Sequence, residues 1–476
     1  STISKNSLKA SLLQLECYFT WTLLKEDVDL DDLVERQDDQ IKFMKESNIT
    51  SYNLLSYIYH LKNSNEEALR SLQKAEEVIK QHHPEEIARR SLVTWGNYAW
   101  IYYHMKRYEE AQTYVSKVEN SCKNLSSASH WKIHLPEVSA EKGWALLSFG
   151  GKYFERAKNC FENALKIEPN NPDFNAGYAT AMYRLEGLAC RSYEEVNSSL
   201  EPLKRAVELN PNNTFIMGLL ALKLQDLKQV DEGERYIEEA MQKTPDFPYF
   251  LRYAAKFYRR KREPWKAVEI LKKALALTPK SAFLHHQLGI CYRGNVFRLQ
   301  KTRNPPQEQV EKLIQLAIFH FKIVTEQKTK FVAAYSDLAN MYAVGKRYEE
   351  AEETFQEVLH RNNLSCMEKQ ELYFHYGNFQ RFHMKSESKA MKYYIEGLKM
   401  QEDSYGRNQC REAAETLLKQ KIERGLGDTA DFGKLGLIHN LNGEKQKAIE
   451  CYEKAIALDP SNEEYLNALL ELQLSL

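Results

Sequence analysis

The sequence predicts an all-α fold built from repeated helix pairs, and three features lead to this conclusion. A short block of small and large apolar residues recurs along the chain, and successive copies are often 34 residues apart. Aromatic residues are frequent, while glycine and proline number only 19 and 13, which argues against a disordered or collagen-like chain. At 476 residues the chain is long enough for two or three subdomains.

The repeating block begins with a small residue, followed by a large apolar residue four positions later and an alanine three positions after that. One copy consists of Ala157, Phe161 and Ala164, and Pro169 closes it. A small residue lets two helices approach closely and the large one fills the space beside it, while proline ends the second helix. Further copies start at Ala68, Ala111, Ser199, Gly233, Ala267, Ala317, Ala351, Ala390 and Ala448.

The interval of 34 residues is that of the tetratricopeptide repeat (TPR). We therefore predict a clamp-like TPR superhelix of nine or ten helix pairs, with capping helices in the first 45 residues. An extended helix and a loop are expected at "RLQKTRNPPQEQ", and an extra spacer helix is expected around "CREAAETLLKQKIERG". The predicted parts are an N-terminal helical and TPR subdomain (1–135), a central TPR subdomain with a basic channel (136–330) and a C-terminal TPR subdomain (331–476).

Several classes of protein are disfavoured by what the sequence contains. Its eight cysteines form no C-x-x-C pair, which suits reduced thiols in the cytosol better than disulfides or zinc. No apolar run approaches the length of a membrane span and no signal peptide is recognisable. Phosphate-loop, zinc-protease and serine-hydrolase motifs are absent, and "SFGGKYF" is expected only to turn the chain. We expect no enzyme.

Charge is distributed unevenly although the chain as a whole is neutral. Residues 252–273 hold nine Lys or Arg against two Glu, whereas residues 1–60 hold ten acidic against six basic side chains. The repeat register assigns Leu251, Ala254, Ala255 and Tyr258 to helix packing. It leaves the opposite face to Tyr249, Arg252, Lys256 and Arg259, and in TPR superhelices that face lines a concave channel.

A solvated helix is the alternative interpretation of this face, but carboxylates would then normally follow at i+4 and none occurs between Asp246 and Glu263. In the next repeat the same register places Phe283 and His286 on the wall, with His285 and Gln287 beside them. Arginine binds phosphates through paired donors and aromatic rings stack on bases, so the channel suits a single-stranded nucleic acid. Duplex RNA is too wide for it.

Longer stretches go beyond a generic repeat, among them "SLVTWGNYAWIYYHM" (91–105), "EKGWALLSFGGKY" (141–153), "LRYAAKFYRRK" (251–261), "FLHHQLGICYR" (283–293) and "HYGNFQRFH" (375–383). In these the sequence resembles the IFIT family, interferon-induced proteins with tetratricopeptide repeats. The opening "LECYFTWTLLKEDVDL" (15–30) and the closing "ELQLSL" (471–476) most resemble its fifth, triphosphate-RNA-binding member. The resemblance implies a cytoplasmic, antiviral, non-enzymatic protein that grips the 5′ end of single-stranded RNA in a basic pocket.

The resemblance also implies roles for individual residues. Asp32 would close the pocket and hold a Mg²⁺ or Na⁺ ion against the phosphates, with no cofactor otherwise required. Trp144 matches the tryptophan on which cap-binding members stack methylguanine. Together with the residues that the repeat register assigns, the predicted RNA contacts are Asp32, Arg36, Gln40, Trp144, Phe154, Arg184, Tyr249, Arg252, Tyr253, Lys256, Arg259, Phe283, His286, Gln287 and Lys301.

Three departures from the triphosphate binder leave alternatives. Ser148 stands where it has a lysine, Phe154 where it has a tyrosine, and Arg36 resembles the cap-recognising members. The first hypothesis is binding of 5′-triphosphate single-stranded RNA, and the second is binding of capped RNA that lacks 2′-O-methylation. A third is a TPR adaptor for a peptide carboxylate. Family paralogues or innate-immune signalling proteins are further expected partners; membranes and duplex DNA are not.

Overall fold

A computed structural model describes residues 4–44, 48–125, 135–188 and 198–476, and every regular element in these ranges is a helix. Short 3-10 helices lie at Tyr18–Thr20, Lys25–Asp27, Pro84–Glu86 and Gly151–Tyr153, and a π-helix at Phe379–His383. The α-helices are Lys5–Leu12, Leu30–Phe43, Ile49–Leu61, Asn65–His82, Ile87–Arg90, Leu92–His104, Tyr108–Leu125, Pro136–Ser148, Phe154–Ile167, Pro172–Glu186, Leu200–Leu209, Thr214–Asp226, Val230–Lys243, Pro248–Arg260, Pro264–Leu277, Ala282–Gln300, Gln307–Gln327, Val332–Val344, Tyr348–Leu359, Cys366–Asn378, Glu387–Lys399, Tyr405–Glu423, Thr429–Leu441, Lys445–Leu458 and Glu463–Leu474.

Consecutive helices pack as pairs, and the described residues contain ten such pairs, from Ile49–Leu61 with Asn65–His82 to Thr429–Leu441 with Lys445–Leu458. The predicted all-α TPR architecture is therefore confirmed. Helices Lys5–Leu12 and Leu30–Phe43 precede the first pair, as expected for the first 45 residues. Helix Tyr405–Glu423 is the spacer helix expected around "CREAAETLLKQKIERG".

The repeat block packs as its spacing predicts. Ala157, Phe161 and Ala164 are all fully buried. Phe161 fills the gap between two neighbouring helices, where a Cβ on Gly177 would lie 2.1 Å from the phenyl ring and one on Gly143 would lie 2.8 Å from it. Glycine is required at these two sites because any larger residue would push the helices apart.

The turns inside the helix pairs share a left-handed backbone position. Asn63, Lys106, Lys228, Arg262 and Lys346 all have φ between 60° and 68° and lie just before the second helix of their pair. Glycine occupies the equivalent place at Gly443, with φ of 75°. Gly150 of "SFGG" also has positive φ and lies between two helices, which agrees with the predicted turn.

The chain divides into two compact units, residues 1–278 and 279–476. In the first unit one cluster of buried residues runs from Leu8 to Ala181. In the second unit the largest cluster runs from Ala390 to Cys451. The three-part division of the sequence stays a prediction.

Among the described residues, no helix combines the length and the apolar character that crossing a membrane demands.

Candidate nucleic-acid interface

Helix Pro248–Arg260, the basic helix from here on, carries the predicted cationic face. Proline at its first position favours helix initiation, because the missing N–H has no acceptor there in any helix. One side of the helix is buried through Phe250, Leu251, Ala254, Ala255, Phe257 and Tyr258, which confirms the predicted packing register. The predicted RNA-facing residues Tyr249, Arg252, Tyr253, Lys256 and Arg259 are all half-buried.

The cations of the basic helix are desolvated to different degrees. Burial lowers the pKa of Arg252, and burial together with the nearby charges of Arg260 and Arg259 lowers the pKa of Lys256. Both shifts mean that the surrounding protein disfavours the charged form relative to water. A negatively charged ligand at this surface would compensate for that cost.

Other cations of the same run belong to the fold. Arg260 donates to Asp226 at 2.9 Å, and Lys261 lies 2.5 Å from Glu234 and 2.9 Å from Glu263. Two of these three carboxylates, Asp226 and Glu234, come from neighbouring helices. A search for acidic residues within the basic helix could therefore not find them. At the end of the run, carboxylates balance the cations, as the solvated-face interpretation expects of a helix that binds no ligand. The predicted channel face is the separate stripe from Arg252 to Arg259.

Helix Leu30–Phe43, the cap helix from here on, lies against the basic helix. The Tyr249 hydroxyl donates to the backbone carbonyl of Arg36 at 2.9 Å, and the Arg252 guanidinium lies 5.2 Å from the centre of the Tyr249 ring. Burial raises the pKa of Tyr249 to about 12. The predicted contacts Asp32, Arg36 and Gln40 all lie on the cap helix, which the Tyr249 hydrogen bond joins to the basic helix.

Asp32 and Arg36 form an ion pair one helical turn apart, with Arg36 Nε 2.7 Å from Asp32 Oδ2. Arg36 keeps 54% of its side chain exposed, whereas Asp32 keeps 28%. Gln40 is half-buried in the last turn of the cap helix. The role of Asp32 as a metal ligand stays a prediction, and its nearest cationic partner in the structure is Arg36.

Trp144 is half-buried and held from two sides. Its indole Nε1 donates to Asp173 at 3.3 Å, and its ring meets Phe161 edge-on at 5.2 Å. Burial raises the pKa of Asp173, and the hydrogen bond from Trp144 opposes that rise. One turn later the Ser148 hydroxyl donates to the Trp144 carbonyl at 3.1 Å, so no side-chain cation occupies this position.

Arg184 and Phe154 lie together. The Arg184 guanidinium lies 5.8 Å from the centre of the Phe154 ring and donates to the carbonyl of Leu147 at 3.2 Å. Tyr253 packs edge-on against Phe215 at 5.3 Å, which makes it part of the packing between neighbouring repeats. Its role as an RNA contact stays a prediction.

The remaining predicted contacts lie in the second unit. Phe283 is 46% exposed, Lys301 is exposed and Gln287 is half-buried. His286 Nε2 lies 2.7 Å from Asp337 Oδ2, and Arg293 donates to the other oxygen of the same carboxylate at 2.7 Å. Burial acts to raise the pKa of Asp337, but the hydrogen bond from His286 and the charge of Arg293 outweigh burial and hold that pKa below its usual range.

His285 differs from the sequence expectation. We expected it beside His286 on the channel wall, but it is 7% exposed and its Nδ1 lies 3.0 Å from Nδ1 of His320. The helical period explains the difference, because adjacent residues point about 100° apart on a helix. Only His286 of the two lies beside Gln287 with a partly exposed side chain.

Three acidic residues near the predicted contacts were missed by the sequence interpretation. Asp173 holds Trp144, Asp337 holds His286, and Asp39 of the cap helix interacts electrostatically with Arg252. The acidic excess of residues 1–60 was the signal for Asp39. Nothing in the spacing singled out the other two, because each pairs with a residue of another helix.

One group of side chains in the described residues has the geometry of a metal site, formed by Glu415, His439 and Glu444 in the second unit. Arg411 lies 3.3 Å from Glu415 and 3.5 Å from Glu444, and Lys419 and Lys447 also pair with these carboxylates. The negative charge is already balanced by three cations, so the group forms an ion-pair network.

Comparisons with known proteins match this architecture over nearly the whole chain. Tetratricopeptide-repeat profiles match residues 49–82, 92–123 and 432–462. The chain is 47% identical to human Protein IFIT1 homolog B over 457 residues, which covers 95% of this chain and 96% of that protein. It is 44% identical to the human antiviral innate immune response effector IFIT1 over 459 residues, again covering 95% and 96%.

Two solved structures of IFIT1 are similar to this chain. A monomeric IFIT1 mutant with Gppp-AAAA has a TM-score of 0.84 at 44% identity and covers 95% of this chain and 100% of that one. The human IFIT1 dimer with PPP-AAAA has a TM-score of 0.79 at 45% identity and covers 95% and 99%. With such identity over nearly the full length of its relatives, the chain belongs to the family of interferon-induced proteins with tetratricopeptide repeats.

Proposed function

We propose that this chain is a cytoplasmic, antiviral, non-enzymatic protein that grips the 5′-triphosphate end of single-stranded RNA and withholds it from translation or replication. The observation that carries the proposal is the stripe of half-buried cations at Arg252, Lys256 and Arg259 on the basic helix. Burial lowers the pKa of the first two, so a bound phosphate would relieve an existing electrostatic cost.

The surrounding groups suit the backbone and the bases of a single strand. Guanidinium groups can donate two parallel hydrogen bonds to a phosphate, and aromatic rings stack on a base of any identity. Tyr249 offers such a ring beside Arg252, and Trp144 offers another. Arg184 donates to the carbonyl of Leu147, on the same helix as Trp144. Because we find no set of side chains that reads base edges, binding should depend little on sequence.

The relatives support the same class of ligand. IFIT1 has been solved with PPP-AAAA, Gppp-AAAA and m7Gppp-AAAA. This chain is 44% identical to IFIT1 over 459 residues and carries a cationic stripe of its own, so we expect it to bind a related 5′ end. The narrower likeness to the fifth, triphosphate-binding member of the family stays a prediction.

Capped RNA lacking 2′-O-methylation is the second candidate ligand. Trp144 is held by Asp173 and Phe161 at a fixed angle, as a ring that stacks on guanine would need to be. Arg36 is largely exposed, and Ser148 leaves the pocket without the lysine found in the triphosphate binder. These features suit a cap, whereas the cationic stripe attracts the more negatively charged triphosphate end more strongly.

A comparison of three RNAs of one sequence tests the proposal, with triphosphate, capped and hydroxyl 5′ ends. We expect the triphosphate to bind most tightly and the hydroxyl most weakly, with log K falling by about 0.7 per neutralised phosphate as log salt rises. Two RNAs of different sequence should bind within a few fold of each other. A sequence preference above about 100-fold, roughly 2.7 kcal/mol, would contradict binding through the backbone.

We also propose that a Mg²⁺ or Na⁺ ion bridges Asp32 to the RNA phosphates. A carboxylate beside a triphosphate is otherwise repelled. Titration of triphosphate RNA with and without EDTA checks this directly. Tighter binding with Mg²⁺ in the wild type, but not in Asp32→Asn, is expected for a Mg²⁺ bridge, and equal behaviour of the two proteins would exclude it. Replacement of Na⁺ by a larger monovalent cation in EDTA should weaken only the wild type if Na⁺ forms the bridge.

Self-association is a further proposal, with a second copy of the chain as the partner. Helix Glu463–Leu474 buries only Leu472 and exposes Leu470 and Leu474 to 54% and 87%, one turn apart on one side. Exposed leucines at this spacing form an apolar stripe that another helix can cover. IFIT1 has been solved as a dimer, which makes a second copy the partner of choice.

A further inference from the structure

The cap helix brings one acidic residue, Asp39, near the cations of the basic helix, together with the cation Arg36. The hydrogen bond from the Tyr249 hydroxyl to the Arg36 carbonyl, 2.9 Å long, joins the two helices. Arg252 follows Tyr249 by one turn, and Asp39 follows Arg36 by one turn. The two residues that continue from this hydrogen bond therefore carry opposite charges.

Asp39 and Arg252 interact electrostatically, and each influences the pKa of the other. The charge of Arg252 acts on the Asp39 carboxyl, and the charge of Asp39 acts on the Arg252 guanidinium and on the Tyr249 hydroxyl. Asp39 is half-buried although it is charged. A carboxylate kept in this position stabilises the buried cation while no ligand is bound.

We propose that Asp39 is an internal competitor for the RNA phosphate, occupying the electrostatic field of Arg252 in the RNA-free protein and weakening the binding of RNA ends. The inference rests on the proposed function, because it assumes that a phosphate approaches Arg252. A 5′-triphosphate carries more negative charge than one carboxylate, so RNA still binds. Asp39 nevertheless neutralises part of the positive field of Arg252 and so reduces its attraction for the phosphates. The acidic cap helix thereby raises the threshold for binding.

This competition gives RNA binding a pH dependence of predictable sign. Burial raises the pKa of Asp39, the neighbouring charge of Glu35 adds to the rise, Arg252 and Lys42 oppose it, and Asp38 adds slightly. A protonated Asp39 no longer competes, so competition weakens as the pH falls toward the raised pKa. The titration of the RNA end itself is common to all protein variants and cancels in a ratio of affinities.

Asp39→Asn tests the inference, because it keeps the shape of the side chain and removes its charge. The matched control is Asp38→Asn, the adjacent residue, which is exposed and whose carboxyl interacts with Lys74. Both variants lower the negative charge of the cap helix equally. The probe is a fluorescent 5′-triphosphate single-stranded RNA, titrated in EDTA at low salt and pH 7, and thermal unfolding of each variant confirms its fold.

We expect Asp39→Asn to bind about three- to fivefold more tightly than the wild type, the size of one partly exposed ion pair. Asp38→Asn should differ from the wild type by less than half that factor. The ratio of wild-type to Asp39→Asn dissociation constants should shrink toward one as the pH is lowered from 7 to 5.

Other results would overturn the inference. Weaker binding by Asp39→Asn would mean that Asp39 contacts or positions the RNA, and equal gains in the two variants would reduce the effect to net charge. Failure of the wild type to prefer triphosphate over hydroxyl RNA would instead contradict the proposed function. The two failures are thus distinguishable in one set of titrations.

Discussion

Arg252 and Arg260 lie on the same helix and carry the same charge, yet their surroundings give them different tasks. Arg260 is bound to Asp226 of a neighbouring helix at 2.9 Å and ties two repeats together. Arg252 is half-buried beside Tyr249 and within the field of Asp39. Residue type alone does not separate structural from ligand-binding arginines, because the separation depends on which carboxylates the neighbouring helices supply.

Reversing the charge at Arg252 should abolish RNA binding. Arg252→Glu removes a charged hydrogen-bond donor and adds repulsion, so we expect at least about a 100-fold loss of affinity for triphosphate RNA. Far-ultraviolet circular dichroism should stay unchanged, since the buried side of the helix is untouched. Arg262→Glu, in the exposed turn that follows, changes the net charge equally and should lose less than about tenfold. Similar losses in both would show that only overall charge matters.

Position 148 offers a gain of function. Ser148 lies one turn after Trp144 and next to Leu147, whose carbonyl binds Arg184. Ser148→Lys should tighten the binding of triphosphate RNA by about tenfold, since a charged hydrogen bond contributes roughly 1.5–3 kcal/mol before solvent and the nearby arginine reduce it. Hydroxyl RNA, measured in parallel, should change little. Equal tightening of both RNAs would place residue 148 outside the pocket that reads the 5′ end.

At the scale of helices, one buried carboxyl joins three elements of the first unit. Glu141, on helix Pro136–Ser148, accepts hydrogen bonds from Asn53 at 2.9 Å and from Tyr18 at 3.2 Å. Tyr18 lies in a 3-10 helix and Asn53 in helix Ile49–Leu61. Burial raises the pKa of Glu141 to about 7, and the hydrogen bonds from Asn53 and Tyr18 only partly oppose the rise.

Stability should therefore fall as the pH rises through the weakly acidic range. Between pH 4.5 and 7 the unfolded chain releases the Glu141 proton that the folded protein keeps, which lowers the free energy of unfolding by up to about 3 kcal/mol. Above pH 7 both states are ionised and the decline ends. Glu141→Gln should remove this part of the pH dependence in urea unfolding, whereas Glu155→Gln, at an exposed site, should keep it. An unchanged slope in Glu141→Gln would assign the dependence to other groups.

At the scale of the whole molecule, the basic helix and the exposed leucines of the last described helix belong to different units. The first unit contains both the acidic cap helix and the basic helix, and the second contains the exposed leucines of helix Glu463–Leu474. RNA binding by the basic helix and association through those leucines should therefore be separable by mutation.

Leu470→Glu combined with Leu474→Glu should convert a self-associating protein into a monomer in sedimentation velocity. Two carboxylates on a covered apolar face leave buried charges without partners, which costs several kcal/mol in an interface. Leu426→Glu, at another leucine that is 64% exposed, is the matched control and should not change the sedimentation coefficient. A wild-type protein that is already monomeric at micromolar concentration would contradict the proposal.

The amino-acid sequence by itself determined the helix pairs and the side of each helix that packs. The block of Ala157, Phe161 and Ala164 and the register of Leu251, Ala254, Ala255 and Tyr258 all became buried as predicted. These features depend on neighbours three or four residues apart, and the helical period converts such spacings directly into faces.

Only the tertiary structure decided which polar and charged groups form hydrogen bonds between helices. Tyr249 and Arg36 are 213 residues apart, His286 and Asp337 are 51 apart, and Trp144 and Asp173 are 29 apart. The helical period already places His285 on the packing side of its helix, but its partner there, His320 of the following helix, was decided by the tertiary structure. Such pairs have no common period, because they depend on how separate helices cross. The identity of the cationic stripe could therefore be predicted from the sequence, while its acidic neighbour Asp39 could be recognised only after the cap helix was placed against it.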